Sequence, residues 1–351
     1  LFVGNDGGIY WTNNGGNAWH EISNGLAISQ PYKLGQSATE SELVVNGYQD
    51  NGSSIYNGTS WFAIGGGDGM ECAIDYTNPA YRYVTMYYGP IDRIYNTTYQ
   101  GQIAGNGVNG INEEGDWVTP FILDEKDPNT MFIGYKNVWR SKNVKDPNIG
   151  NIGWTKISDI NTSNLTVLEQ SPVNTNLFYA SAGNHLYICS NAKAGSPTWT
   201  EITGNLPQAT GITDIEAHPT EESTVYITQE NKVYRSVNKG QTWNDISAGL
   251  PGIHLNTIVY YKRSPEGLYV GADAGVYYKD KSMNSWIPFT NGLPANGKIT
   301  ELEIYYDSLN PANDLIKAST YGRGTWKSGL YYNDPTCAFS ADQTLVPVNC
   351  P

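Results

Sequence analysis

Basic residues are scarce in this sequence. Lys and Arg number 21 against 34 Asp and Glu, a net charge of −13. An acidic chain with no basic stripe is a poor partner for nucleic acid or an anionic membrane, so neither is expected. Long apolar runs are missing too. None approaches the ~20 residues of a membrane span, and no signal-peptide pattern is present. The chain opens in a strand-like LFVG without Met, which reads as a processed or excised fragment. Histidine is limited to His20, His185, His218 and His254, with no paired spacing, which argues against metalloenzyme chemistry. The four cysteines fit no zinc pattern. Cys72 and Cys189 lie in apolar strand-like stretches and read as buried thiols. Cys337 and Cys350 flank a 12-residue loop. A disulfide between them, implying an oxidising extracellular setting, and a pair of free thiols both fit that spacing.

Strand and turn formers fill the chain instead: 26 Tyr, 38 Gly and 10 Trp. The tryptophans set a period. Trp154, Trp199, Trp243 and Trp286 follow one another at intervals of 45, 44 and 43 residues, and Trp19 and Trp61 are 42 apart. Several short strands per ~45-residue unit is the signature of a β-propeller. The stretch 225–251, VYITQENKVYRSVNKGQTWNDISAGLP, shows one unit: two alternating strands, a polar turn, a Trp-bearing strand and a Gly-Leu-Pro exit. The expected fold is all-β, a propeller of about seven to eight four-stranded blades with the first blade lacking its innermost strand. Either upstream sequence or the C-terminus would supply that strand. Residues 1–330 form the propeller in this division, 331–336 a linker and 337–351 a separate tail.

The turn between the third and fourth strands carries a Ser/Thr-x-Asp-x-Gly-x-Thr-Trp pattern with Asn in place of Asp. Residues Ser236, Asn238, Gly240, Thr242 and Trp243 fit it, as do Thr12, Asn14, Gly16 and Trp19. The pattern resembles the BNR/Asp-box propellers, a group that includes sialidases, sortilin-type receptors and two-propeller xyloglucanases. Its polar side chain satisfies the backbone of its own hairpin, so these residues are expected to be structural. VGNDGGIYWT (3–12), GYQDNGSSIY (47–56), GGGDGM (65–70), WVTPFILD (117–124) and STYGRGTWKS (319–328) resemble, more narrowly, propeller regions of large secreted and surface proteins of gliding Bacteroidetes exported by type IX secretion. That resemblance implies a secreted or cell-surface location and further sequence upstream. The tail CAFSADQTLVPVNCP resembles the start of a PKD-type, Ig-like domain.

Blade topology places the turns between second and third strands on one face and the box turns on the other. NDGG (5–8), QDNG (49–52), Asp273 and YGRG (321–324) should therefore gather with GGGDG (65–69) and Asp116-Trp117. The expected ligand-binding set is Tyr48, Gln49, Asp50, Asn51, Asp68, Asp116, Trp117, Tyr321 and Arg323. The aromatics would stack on sugar rings, although packing between blades is the commoner fate of aromatics in this fold. Asp6, Asp50 and Asp68 could hold a structural Ca²⁺, and no other cofactor is implied.

Three functions follow. The first is a surface module that binds polysaccharide, a cell-surface glycan or a protein. The second is a xyloglucanase-like glycoside hydrolase with Asp50 and Asp68 as the carboxylate pair, completed by a second propeller or upstream segment. The third is a structural spacer. A sialidase would need a clustered Arg triad, and the six arginines mostly occupy repeat-equivalent strand positions.

Overall fold

The computed structural model describes residues 1–5, 8–23, 28–332 and 334–341. It contains eight antiparallel sheets, and each is built from consecutive strands. The first, blade I, has three strands: Phe2–Asn5, Gly8–Trp11 and His20–Glu21. The other seven have four strands each. Their innermost strands are Pro31–Gln36, Gly69–Ile74, Phe121–Asp124, Val167–Gln170, Ile212–Ala217, Leu255–Tyr261 and Lys298–Tyr305, for blades II to VIII in turn. The 45-residue period therefore marks the blades as expected.

Why the period is so clear follows from burial. The second strand of a blade is covered on both faces by the neighbouring blades. Phe178–Ala182, Val225–Gln229 and Gly267–Ala272 are buried at every position. Such strands read as short continuous apolar runs. The gaps between blades are filled by Phe132 on Phe178, with ring centroids 4.4 Å apart, and by Tyr226 on Tyr260 at 6.1 Å. Tryptophans also tie blades IV, V and VII to the blade before. The indole N–H groups of Trp154, Trp199 and Trp286 donate to the carbonyls of Ile103, Ile157 and Ile246 at 2.7, 2.9 and 2.7 Å.

The ring closes on seven blades, not eight. Blade VIII packs directly on blade II: Asn46 Nδ2 donates to Thr325 Oγ1 at 2.6 Å, and Lys327 pairs with Glu42 at 2.6 Å. Thr300 Oγ1 donates to the Pro31 carbonyl at 2.9 Å. Blade I is outside this ring, with Leu1 and Phe2 70% exposed or more. The C-terminal strand does not complete it. Ser340–Ala341 pairs with Lys327 and Trp326, as the fourth strand of blade VIII. Phe339 and Leu330 are buried in the same core as Tyr278. The chain thus stays in the propeller through Ala341, past the expected boundary at 330. The remainder of the tail, with its Ig-like resemblance, lies outside the described residues. Cys350 is there too, so the pairing of Cys337 falls outside them as well. Cys72 and Cys189 are buried and reduced.

The box turns behave as backbone-satisfying devices. Ser236 Oγ accepts from Gly240 N at 2.8 Å, and Asn238 Oδ1 accepts from Thr242 N at 2.9 Å. Thr12 Oγ1 and Asn14 Oδ1 do the same for Gly16 N and Ala18 N, at 3.2 and 3.0 Å. Two units whose sequence has lost the pattern keep the mechanism. Asn143 Oδ1 accepts from Gly153 N at 3.2 Å, and Asn191 Oδ1 from Thr198 N at 2.8 Å.

Candidate functional site

The loops that connect second to third strands, with those entering the innermost strands, form one face of the ring. Blades II and III carry its most irregular loops. Gly52 and Gly67 have φ of 62° and 65°, the left-handed region that glycine enters at least cost. A Cβ on Gly69 would sit 2.1 Å from the Gly52 carbonyl oxygen, so the loop can close on blade II only with glycine at position 69. Asp68 then reaches across. Its Oδ1 accepts from Asp50 N at 2.6 Å and holds Asp50 at φ 58°. Asn51 Nδ2 donates to the Gln49 carbonyl at 3.1 Å, and Gln49 Oε1 accepts from Tyr32 at 3.3 Å and from Tyr321. Burial and the adjoining Tyr32 hydroxyl, with Asp68 and Asp50 nearby, push the Tyr321 phenol up to about 12.

Next to this network lies an aromatic platform. The Trp117 and Tyr87 rings are stacked, with centroids 5.3 Å apart and planes within 10°. Tyr88 stands edge-on to both, at 5.6 and 5.5 Å. All three are exposed: Trp117 38%, Tyr87 40%, Tyr88 48%. Tyr88 has φ 67°, a conformation a bulky L-residue rarely adopts. It is held there by two backbone bonds, Tyr88 N to Asp116 O at 3.2 Å and Gly115 N to Tyr88 O at 3.0 Å. Asp116 Oδ1 accepts from Trp117 N at 2.6 Å and so fixes the start of that loop. Left-handed strain held in place under exposed rings is typical of functional surfaces.

Trp117 also lines a cavity of about 510 Å³ at the mouth of the central channel, with Tyr32, Lys33, Asp116, His254 and Lys298. Its cations are paired. Lys298 lies 3.5 Å from Asp273, and Lys33 pairs with Glu301 and, at 3.9 Å, with Glu71. Asn256 Nδ2 donates to Asp273 Oδ1 at 3.0 Å and its Oδ1 meets His254 Nδ1 at 3.1 Å. Among the described residues the mouth therefore offers no unpaired lysine, and Asn256, Thr300, Asp116 and Glu230 supply its hydrogen-bonding groups. Apolar rings beside convergent polar groups suit an uncharged polyhydroxylated ligand.

The structure brings Gln49, Asp50, Asn51, Asp68, Asp116, Trp117 and Tyr321 onto this face. It removes Tyr48 from the set. Tyr48 is 1% exposed, its hydroxyl accepts from Asn46 at 2.9 Å, and its ring packs on Trp61, so it cannot meet a ligand. Arg323 is exposed, and among the described residues no carboxylate pairs with it. Asp6 lies outside the described residues. Among those described, no group of three His, Cys, Asp or Glu side chains is arranged to hold a metal ion. Asp50 and Asp68 meet in a turn-holding contact, the Asp50 N–H donating to Asp68 Oδ1. Tyr87, Tyr88, Tyr32, His254 and Lys298 were not anticipated. One signal for the first two was present: Tyr-Tyr-Gly-Pro (87–90) fills a hairpin position where the other units have small turn residues.

Fold and site together define a seven-bladed propeller with exposed aromatic rings and convergent polar groups on its loop face. No family model matches the sequence. Over 171 residues it is 26% identical to a xyloglucanase of Hypocrea jecorina (strain QM6a), an overlap of 45% of this chain and 20% of that protein. The crystal structure of an ancestral GH74 enzyme superposes with a TM-score of 0.72 at 14% identity, covering 91% of this chain and 47% of that one. The fold is a β-propeller like that of the ancestral GH74 enzyme. The chain spans less than half the length of either relative.

Proposed function

We propose that this propeller binds a neutral, xyloglucan-like polysaccharide across its loop face, as part of a glycoside hydrolase. The carrying observation is the platform of Trp117, Tyr87 and Tyr88 beside the Asp50–Asp68 loop pair and the channel mouth. Flat exposed rings bury the apolar faces of sugars, and the lysines of the mouth are already paired with carboxylates. Both comparisons favour the hydrolase over the adhesion module and the spacer, because both relatives are glycan-cleaving or GH74 enzymes by name. A secreted or surface location belongs to this reading, since such a polymer lies outside the cell.

Hydrolysis needs two carboxylates, ~6.5–9.5 Å apart for inversion or ~5 Å for retention. One oxygen of Asp68 is committed to the Asp50 N–H. Asp50 is exposed, and among the described residues no hydrogen bond engages its carboxylate, so it is the better candidate for acid–base work.

Affinity electrophoresis and reducing-sugar release on xyloglucan test both parts. The chain is expected to bind, and Trp117→Ala with Tyr87→Ala should weaken binding at least tenfold, about 1.4 kcal/mol. Equal binding by that double variant would remove the platform from the site. Sugar release abolished by Asp50→Asn but kept by Asp68→Asn would assign the catalytic carboxylate. Release unaffected by both would exclude the pair.

A further inference from the structure

The seven innermost strands enclose a channel of about 530 Å³ whose wall is strongly acidic. Blade III contributes Glu71, blade IV Glu125, blade V Glu169, blade VI Asp214 and Glu216, and blade VIII Glu301 and Glu303. Among the described residues only two cations face them, Lys33 of blade II and Lys262 of blade VII. Lys33 is taken by Glu301 and Glu71, and Lys262 sits over the Tyr306 ring, 3.9 Å from its centroid. Tyr76, Tyr260 and Tyr306 complete the titratable lining, with the buried Cys72 thiol. Seven carboxylates therefore share one narrow space with two positive charges.

Three of these carboxylates also join blade to blade. Glu169 Oε1 accepts from Ala217 N at 2.9 Å, Asp214 Oδ2 from Ile258 N at 2.8 Å, and Glu216 Oε1 from Tyr260 N at 3.0 Å. Each runs from one innermost strand to the backbone of the next. The carbonyl oxygen of a protonated carboxyl accepts such a bond as well, so protonation keeps the connection and removes the repulsion. Glu303 differs: among the described residues no hydrogen bond engages it.

We propose that the channel is a pH-responsive clamp, in which protonation of the wall carboxylates draws the innermost strands together and their ionisation loosens the ring from within. Titration has the matching direction. Burial, with Glu301 beside it, pushes Asp214 up to about 6. Burial pushes Glu71 up to about 7 despite Lys33. Burial and neighbouring carboxylates raise Glu169, Glu216 and Glu303 well above the usual range, and Glu125 shifts the same way. Lys33 is held charged by Glu301 and Glu71 against the opposing effect of burial, while burial and Arg263 lower Lys262. Channel water reaches the wall, since the Lys33, Glu71 and Glu301 side chains keep 27, 17 and 14% exposure. The folded ring thus holds protons that the unfolded chain releases above the ordinary carboxylate range. That stability is complete below about pH 4, where unfolded carboxylates are also protonated. It is lost as pH rises through 6 and 7. The buried His218 imidazole, lowered by burial, works in the opposite direction over part of this window.

Thermal melting of the chain from pH 5 to 8 at low salt is the test. The midpoint should fall by several degrees across that range. Glu303→Gln removes one charge and no bond between blades. It should raise the midpoint at pH 8, leave it nearly unchanged at pH 5, and so flatten the profile. Glu216→Gln, which keeps an acceptor for Tyr260 N, should do the same and serves if the first variant does not fold. A midpoint that is flat or rises from pH 5 to 8 overturns the proposal. So does an unchanged slope in both variants.

Discussion

Tyr88 shows most plainly what the single residue contributes. Its φ of 67° and its 48% exposure together mean that the chain tolerates strain to present a ring to solvent. Asn enters this conformation more readily than an aromatic. Tyr88→Asn should therefore stabilise the fold by about 0.5–1 kcal/mol, part of the ~1–3 kcal/mol such strain costs, while weakening polysaccharide binding. Chemical denaturation and affinity electrophoresis on the same variant read the two effects. A loss of stability would mean that the ring is held by packing and not by function. Trp117 and Tyr48 were both expected to face a ligand, and Trp117 is exposed whereas Tyr48 is buried. The difference is physical. Trp117 lies in a loop before an innermost strand, where exposure is the rule. Tyr48 ends a strand buried at every position, and its nearness in sequence to Gln49 and Asp50 says nothing of which way its ring turns.

At the scale of the element, the repeat hides unequal units. Trp154 and Trp243 occupy equivalent positions in the period. Trp154 is 8% exposed and donates to the Ile103 carbonyl, whereas Trp243 is half-buried and its indole nitrogen has no hydrogen-bond partner among the described residues. Trp154→Ala should cost about 3–5 kcal/mol. Trp243→Ala should cost about half as much, since less area leaves water. Urea titrations of the two variants compare them directly, and equal losses would make the repeat a better guide than burial. Strand order was legible because doubly buried second strands and Gly-containing turns are local signals. The polar turn mechanism was legible only in part. Asn143 and Asn191 perform it across longer loops, where the sequence spacing no longer marks it.

For the whole molecule the decisive feature is closure. Eight units could be counted in the sequence, but the ring holds seven. No local pattern distinguishes a blade inside the ring from one outside it. The contacts that decide it join residues more than 260 positions apart: Asn46 with Thr325, Lys33 with Glu301, Lys327 with Glu42. Asn46 is the most buried of these groups, fully inaccessible, and its amide also serves Tyr48. Asn46→Ala takes the amide donor away from the buried Thr325 hydroxyl. The expected cost is about 1–3 kcal/mol, the price of one unmet buried polar group. Because a closed ring has no terminal blade to fray, that loss should lower a single cooperative transition. An open array would instead shed its ends first, as linear repeats do. Calorimetry of Asn46→Ala separates the cases: one shifted transition supports closure between blades II and VIII, and an early additional transition would place the seam elsewhere.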